Sequence, residues 1–362
     1  MKITLNAPSA RSALDMMAKI TGADRANIHI EGQDIYCTAE GFNKSIKLWI
    51  EGDITATGDG FGFSLPTLRK LLAGREYLEL KVKGGTADFR SKSKTSRFSG
   101  TFQLLPLEEV TVVTNSKEKP IKLDRDQMET LVQTVKRVRI TNLFTTDDLN
   151  LFIRFNRSGL YATMYDSWHL AYAHCADVTT DSKIDFCIAL PIFEQIKTVS
   201  QGEPFAFTLG QAYISAEGKG FSLSLPLMQG IEGQSFEQVQ GLVEKLEAGN
   251  DGCTVDLNSK ALAQTIEGFA AISEGDDTLT LKSAKGLLCF NAQTNFGTAK
   301  ERKQIKVDWP KGSEFTLNPN LFMDTVNNHP GEDLSLRLLN NMVICTTDQD
   351  ATHLVYACLL VD

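Results

Sequence analysis

The sequence predicts an α+β fold built from three repeated modules, each with two helices packed on antiparallel sheets. Three observations lead there. A strand that runs into a capped helix occurs three times, a strand that runs through a proline into a short helix occurs three times, and alternating strands follow each short helix.

The first element reads Ile3-Thr4-Leu5-Asn6, Ile121-Lys122-Leu123-Asp124 and Val255-Asp256-Leu257-Asn258. Apolar residues two apart suit one buried face of a strand. Asn or Asp follows where a helix N-cap belongs, because its side-chain oxygen can accept an otherwise orphaned backbone N–H. The helices behind these caps each carry one apolar stripe. The stripes are Ala10, Ala13, Leu14 and Met17; then Met128, Leu131, Val132, Val135 and Val138; then Leu262, Ile266 and Phe269.

The second element reads Phe63-Ser64-Leu65-Pro66, Ile188-Ala189-Leu190-Pro191 and Phe315-Thr316-Leu317-Asn318-Pro319. Proline suits the first turn of a helix, where its missing N–H costs nothing. Short helices should follow, burying Leu68, Leu71 and Leu72, then Ile192, Ile196 and Val199, then Leu321, Phe322 and Val326. Beyond them, Tyr77 to Val82, Phe221 to Leu225 and Leu354 to Leu359 alternate as antiparallel strands do, with turns such as Gly84-Gly85 between neighbours.

At 362 residues the chain exceeds what one hydrophobic core usually supports. Modules over residues 1–115, 120–245 and 252–362 fit the usual domain range of about 100–150 residues. The linkers expected between them are Val113 to Pro120, polar and lysine-rich, and Glu244 to Gly252, which holds Gly249-Asn250-Asp251-Gly252.

No apolar run is long enough to span a bilayer, and Met1-Lys2-Ile3-Thr4-Leu5 lacks the apolar core of a secretory signal. A cytoplasmic protein with no membrane partner is therefore expected. Seven scattered cysteines, with no Cys-x-x-Cys among them, suggest reduced core thiols. The net charge of −8, from 37 Lys plus Arg against 45 Asp plus Glu, argues against gripping nucleic acid over the whole surface. It leaves room for a basic face on an acidic body.

Catalytic motifs are missing from the sequence. There is no Gly-x-x-x-x-Gly-Lys-Ser/Thr phosphate loop, no Gly-x-Ser-x-Gly elbow and no His-Glu-x-x-His helix. His169, His174 and Cys175 form the one tight group of possible ligands, at a spacing that suits a strand rather than a zinc site. The acid pairs Glu108-Glu109 and Asp276-Asp277 sit in turn-like stretches. The expectation is no catalysis, no metal and no cofactor.

The repeated plan and two local stretches resemble the beta subunit of bacterial DNA polymerase III, the sliding-clamp family. Gly159 to Ala171, GLYATMYDSWHLA, is similar to the family's middle-domain segment, in which a strand leads into Thr-Asp-Gly-(aromatic or His)-Arg-Leu-Ala. Leu317 to Asp324, LNPNLFMD, is similar to its Phe-Asn-Val-x-Tyr-Leu-x-Asp segment. The resemblance spans the chain in order. It departs at Ser167, where the family has Gly, at His169, where it has Arg, and at the ending Ala357-Cys358-Leu359-Leu360-Val361-Asp362, which replaces Met-Pro. Such departures are expected of a divergent phage or plasmid member.

The resemblance implies three clamp-fold domains that close a six-domain ring as a head-to-tail homodimer around duplex DNA, with no catalysis of its own. Helices line such a ring, and basic residues on them would meet phosphates without reading bases. Those expected here are Arg11, Lys19, Arg25, Arg69 and Lys70, then Lys136, Arg137, Arg139 and Lys197, then Lys260. A hydrophobic pocket for peptides of DNA polymerase, clamp loader and repair proteins is implied as well. Its lining would be Tyr165, Ser167, Trp168, His169, Leu170, Val243, Asn318, Leu321, Val355, Tyr356, Ala357, Cys358 and Leu359. Two other readings stay open: a clamp-fold scaffold in transcription that does not encircle DNA, and an α+β enzyme of carbohydrates or nucleotides with no recognisable motif.

Overall fold

The computed structural model describes residues 1–92, 96–110, 121–140, 150–165, 169–181, 183–200, 203–209, 213–227, 236–249, 251–273, 277–294, 296–327, 333–339, 342–349 and 352–359. One element order recurs three times along the chain: strand, helix, three strands, strand, helix, three strands.

The first copy runs β1 (Lys2–Asn6), α1 (Ala7–Thr21), β2 (Arg25–Glu31), β3 (Asp34–Gly41), β4 (Lys44–Ile50), an added β5 (Gly52–Ala56), β6 (Phe61–Ser64), α2 (Leu65–Leu72), β7 (Tyr77–Lys83), β8 (Thr86–Lys92) and β9 (Arg97–Gln103). The second runs β10 (Ile121–Lys122), α3 (Arg125–Arg137), β11 (Asn150–Asn156), β12 (Gly159–Tyr165), β13 (His169–Cys175), β14 (Ile184–Ala189), α4 (Leu190–Ser200), β15 (Phe205–Leu209), β16 (Tyr213–Gly218) and β17 (Phe221–Pro226). After a separate helix α5 (Phe236–Ala248), the third runs β18 (Cys253–Asn258), α6 (Ser259–Ala270), β19 (Thr278–Ala284), β20 (Leu287–Thr294), β21 (Gly297–Lys306), β22 (Glu314–Leu317), α7 (Pro319–Asn327), β23 (Asp333–Leu338), β24 (Met342–Gln349) and β25 (Thr352–Leu359).

Local chemistry explains the helix starts. Asn6 accepts from the backbone N–H of Ser9 at 3.1 Å, and Asn258 accepts from that of Ala261 at 3.1 Å, so both cap as their side chains predict. Pro66 and Pro191 lie at the second residue of α2 and α4, and Pro319 opens α7. The expected stripes are buried in α1 and α6, and in α3 all but the half-buried Val132. Gly159, at φ 136°, lies so close to Cys175 that an added Cβ would sit 2.3 Å from its carbonyl oxygen, which explains a glycine opening β12.

The chain forms two compact units, Met1–Arg125 with Pro191–Leu227, and Asp126–Leu190 with Met228–Asp362. The first unit holds a five-stranded sheet, β5-β1-β7-β8-β9, and an eight-stranded sheet, β10-β15-β16-β17-β4-β3-β2-β6. The second holds an eight-stranded sheet, β14-β11-β12-β13-β25-β24-β23-β18, and a four-stranded sheet, β21-β20-β19-β22. The described ladders are antiparallel.

Each eight-stranded sheet is joined across two copies of the repeat by the same pair of strand types. The last strand of one copy pairs with the third sheet strand of the copy before it: β17 with β4, through Phe221↔Leu48 and Leu223↔Ile46, and β25 with β13, through Ala357↔Leu170 and Val355↔Tyr172. The middle copy is therefore divided between the units. The remaining strands of those two types, β9 and β21, stand at sheet edges among the described residues.

All seven cysteines are buried free thiols. Among the described residues no helix is long and apolar enough to cross a membrane. The linker expected from Glu244 onward is corrected: Glu244 to Ala248 continue α5. Phe236, Val239, Val243 and Leu246 recur at helical spacing and pack on one apolar cluster, which outweighs the polar residues between them.

Candidate partner and nucleic-acid surfaces

Strand alternation places the central residues of the second unit's eight-stranded sheet on two faces. One face carries three rows that cross the strands. Arg154, Tyr161, His174, His353 and Asp348 form the first; Phe152, Thr163, Tyr172 and Val355 the second; Tyr165, Leu170, Ala357 and Ile344 the third.

Helix α5 is held on this face at both ends. At its first turn Glu237 meets Arg154 at 2.5 Å and Lys183 at 2.8 Å, while Arg154 grips Asp185 through two bonds of 2.7 and 2.6 Å. At its last turn Glu247 meets His353 Nε2 at 2.5 Å, and Asp348 takes Nδ1 at 2.6 Å. Both anchors fall on the first row, so α5 crosses the strands there. Between them Phe236, Val239 and Val243 pack with Phe152, Tyr161, Leu170, Tyr172, Val355 and Ala357 in one apolar cluster. Tyr161 meets Phe236 edge-on at 5.7 Å, and Tyr165 stacks on Phe152 at 5.4 Å.

The third row begins four residues along each strand from the first, roughly 13 Å away at a strand's rise, so it lies beside α5 rather than beneath its axis. Partly buried Tyr165, Leu339 and Met342 pack there, and Leu359 pairs with Met342 at the end of β25. Leu242, on α5, is 47% exposed. The result is an apolar rim with exposed groups next to a fixed helix.

Of the residues expected in a peptide pocket, Tyr165, Leu170, Val243, Val355 and Ala357 meet in this cluster, with Leu359 at its margin. His169, Tyr356 and Cys358 point to the opposite face, where the Tyr356 hydroxyl donates to the Arg137 carbonyl at 2.7 Å. Burial pushes the Tyr356 hydroxyl pKa well up, so it remains a donor. Asn318 is buried and accepts from the Asn320 backbone N–H at 2.9 Å at the start of α7. Ser167 and Trp168 lie outside the described residues, as does the side chain of Leu321. Sequence reasoning missed Phe236, Val239, Arg154 and Glu237; the helical spacing of the first two was the available signal.

The expected phosphate-facing cations separate into two groups. Lys19, Lys70, Lys136, Arg139 and Lys260 are exposed, and Arg137 is half-exposed. Arg11 and Arg69 instead share Asp15, the first at 3.7 Å. Arg25, expected on a helix, is corrected: it opens β2, pairs with Glu108 at 2.5 Å and donates to the Pro106 carbonyl. The side chain of Lys197 lies outside the described residues. His169 and His174 point to opposite faces of β13, and His174 stacks on Tyr161 at 4.2 Å.

No protein-family model matches the sequence, and no curated protein matches it. Solved structures match throughout. The beta subunit of the Streptococcus pyogenes DNA polymerase is 14% identical, with a TM-score of 0.81 and 100% of both chains covered. The Caulobacter crescentus DNA polymerase sliding clamp is 15% identical, with a TM-score of 0.79 and 100% of both chains covered. A Pseudomonas aeruginosa sliding clamp bound to griselimycin is 16% identical, with a TM-score of 0.79, covering 100% of this chain and 99% of that one. Along its whole length, this chain has the fold of the DNA polymerase III beta subunit, the sliding clamp.

Proposed function

We propose that this chain is a DNA sliding clamp: a non-catalytic homodimeric ring that encircles duplex DNA and tethers DNA polymerase, clamp loader and other replication or repair proteins. Its modules are residues 1–115, 120–245 and 252–362, with α5 running across the end of the second toward the third. The observation that carries the reading is the pattern of strand joins. Two joins of one type, β17 to β4 and β25 to β13, are made within the chain, while β9 and β21 keep the matching edges. A second copy placed head to tail would make the same join twice more, and a heterologous contact that closes gives a ring.

The apolar residues at the β9 edge support this. Phe98 is 46% exposed and packs on Phe89 at 5.2 Å, with half-buried Phe102 alongside. At the internal join, by contrast, Leu354, Tyr356 and Cys358 of the corresponding strand β25 are at most 2% exposed. Covering such a patch and pairing an open strand would both favour association.

The charge distribution suits DNA held without base recognition. Helices α1, α2, α3, α4, α6 and α7 carry nine Lys and Arg against six Asp and Glu, in a chain whose net charge is −8. Weak phosphate attraction on helices that are basic on balance permits sliding without a fixed grip. The third row beside α5 offers partner peptides apolar anchors next to Val243 and Leu359.

Sedimentation equilibrium tests the assembly. The reading predicts a dimer at micromolar concentration, and the Phe98→Asp variant should shift it toward monomer while keeping its folded spectrum. A wild-type chain that is monomeric under every condition tried would overturn the ring.

A further inference from the structure

The open strand β21 is strongly basic and the open strand β9 carries Arg97 and no acid, whereas three of the four strands joined within the chain are uncharged. β13, β17 and β25 contain no Lys, Arg, Asp or Glu. β4 has two lysines, but Lys47 pairs with Glu31 at 2.6 Å and Lys44 donates to Gln195 at 3.4 Å. β21 carries Lys300, Arg302, Lys303 and Lys306 against Glu301, and Glu301 is held by Lys303 at 2.5 Å. Lys300, Arg302 and Lys306 are exposed, as are Arg97 on β9 and Arg90 on its neighbour β8.

The same contrast holds for whole sheets. The strands of the five-stranded sheet hold six Lys and Arg against three acids. Those of the four-stranded sheet hold five against two. The first unit's eight-stranded sheet has four of each, and the second unit's has two basic residues against four acidic. Among the four sheets of a chain of net charge −8, excess positive charge thus lies on the two whose edges would meet. Bare approach of two such edges would be repulsive.

We propose that the contact between β9 and β21 of a second copy is bridged by phosphate oxyanions, which seat on a face of the joined sheet between the Lys and Arg side chains of the two strands and hold the dimer closed. The proposal rests on the head-to-tail reading above. A phosphate group offers several acceptor oxygens to Lys and Arg from both sides, and charge-assisted bonds of this kind are the strong ones. Free polyphosphate and a nucleic-acid backbone present the same group.

The test is the dimer dissociation constant of the full chain at matched ionic strength in sodium chloride, in sodium tripolyphosphate, and in chloride with a short blunt DNA duplex. Relief of the general repulsion between two acidic chains would follow ionic strength alone, so the comparison at fixed ionic strength isolates bridging. Tripolyphosphate should tighten the wild-type dimer about tenfold over chloride. The duplex counts as a bridging source only where it tightens wild type more than the Lys300→Glu/Arg302→Glu variant, because lumen contacts to the duplex are the same in both. The Lys300→Glu/Arg302→Glu variant separates local from overall charge. It makes the chain more acidic, so overall repulsion predicts a weaker dimer; the bridged contact predicts a tighter one in chloride, insensitive to phosphate. A wild-type dimer indifferent to both phosphate sources, or a weaker variant dimer, would overturn the proposal and leave the ring standing. A chain monomeric in every arm, its edges merely blunted by lysine, would remove the ring and the bridge together.

Discussion

Arg154 on β11 and Glu237 in the first turn of α5 are joined at 2.5 Å, with the Arg154 guanidinium 4.2 Å above the ring of Phe236. The arginine side chain is 6% exposed, yet its carboxylate partners Asp185 and Glu237 are 39% and 58% exposed. The group that fixes the helix is thus buried on the sheet, and solvent still reaches the acids that neutralise it.

Replacing Arg154 by Met should loosen α5 without undoing the sheet. The exposed acids can be solvated once the arginine is gone, so the expected loss is about 1–3 kcal/mol, below the range for a fully buried pair. Urea unfolding measures it. An unchanged midpoint would mean that apolar packing alone holds the helix.

Acid should release the same anchor. Hydrogen bonds from Lys183 and Arg154 hold the Glu237 carboxyl down at about 2, below its usual range. A depressed carboxylate stabilises the fold fully above its unfolded pKa of about 4.3 and loses that contribution as pH falls through the folded value. Wild type should therefore lose stability relative to Glu237→Gln between about pH 4 and pH 2. Parallel curves for the two proteins would refute the anchor.

The other end of α5 should respond to base. Burial works to lower the His353 pKa, but the hydrogen bonds that its ring donates to Asp348 and Glu247 outweigh it and the net shift is upward. A raised histidine stabilises fully below its unfolded pKa of about 6.5, and the contribution disappears as pH rises through the folded value. His174 is the register partner of His353 on β13, and its imidazole is engaged with the Ser158 carbonyl at 2.8 Å. The stability difference between wild type and His353→Gln should shrink as pH rises above about 6.5 and through the higher folded value. A constant difference would show that the imidazolium does not latch α5.

The apolar rim separates binding from folding. Leu170→Ala, in the cluster at 7% exposure, should cost about 2–4 kcal/mol of stability. Tyr165→Ala, at the partly buried margin, should weaken capture of a polymerase-derived peptide about tenfold while changing stability less. Peptide titration of both folded variants checks this, and equal binding by wild type and Tyr165→Ala would move the peptide surface elsewhere.

Much of the fold was legible because local chemistry repeats. Asn6 and Asn258 cap where they were expected to, and the prolines open α2, α4 and α7. Helix α5 was hidden because polar residues around Gly249 resembled a linker, although Phe236, Val239 and Val243 keep a helical period. The site was legible in part. Alternation alone puts Leu170 and Ala357 on one face and Tyr356 and Cys358 on the other, but which face α5 covers is set by Arg154 and His353, far away in sequence. Arg25 shows a further limit: charge could be read from the chain, but its commitment to Glu108 depends on a contact 83 residues away.

Retention of the protein on DNA circles is the most direct measurement of the central claim. Protein loaded on a nicked circular duplex should stay bound through a high-salt wash that screens phosphate contacts, and should leave once one restriction cut linearises the circle. Equal retention on circle and line, or equal loss from both, would contradict topological holding.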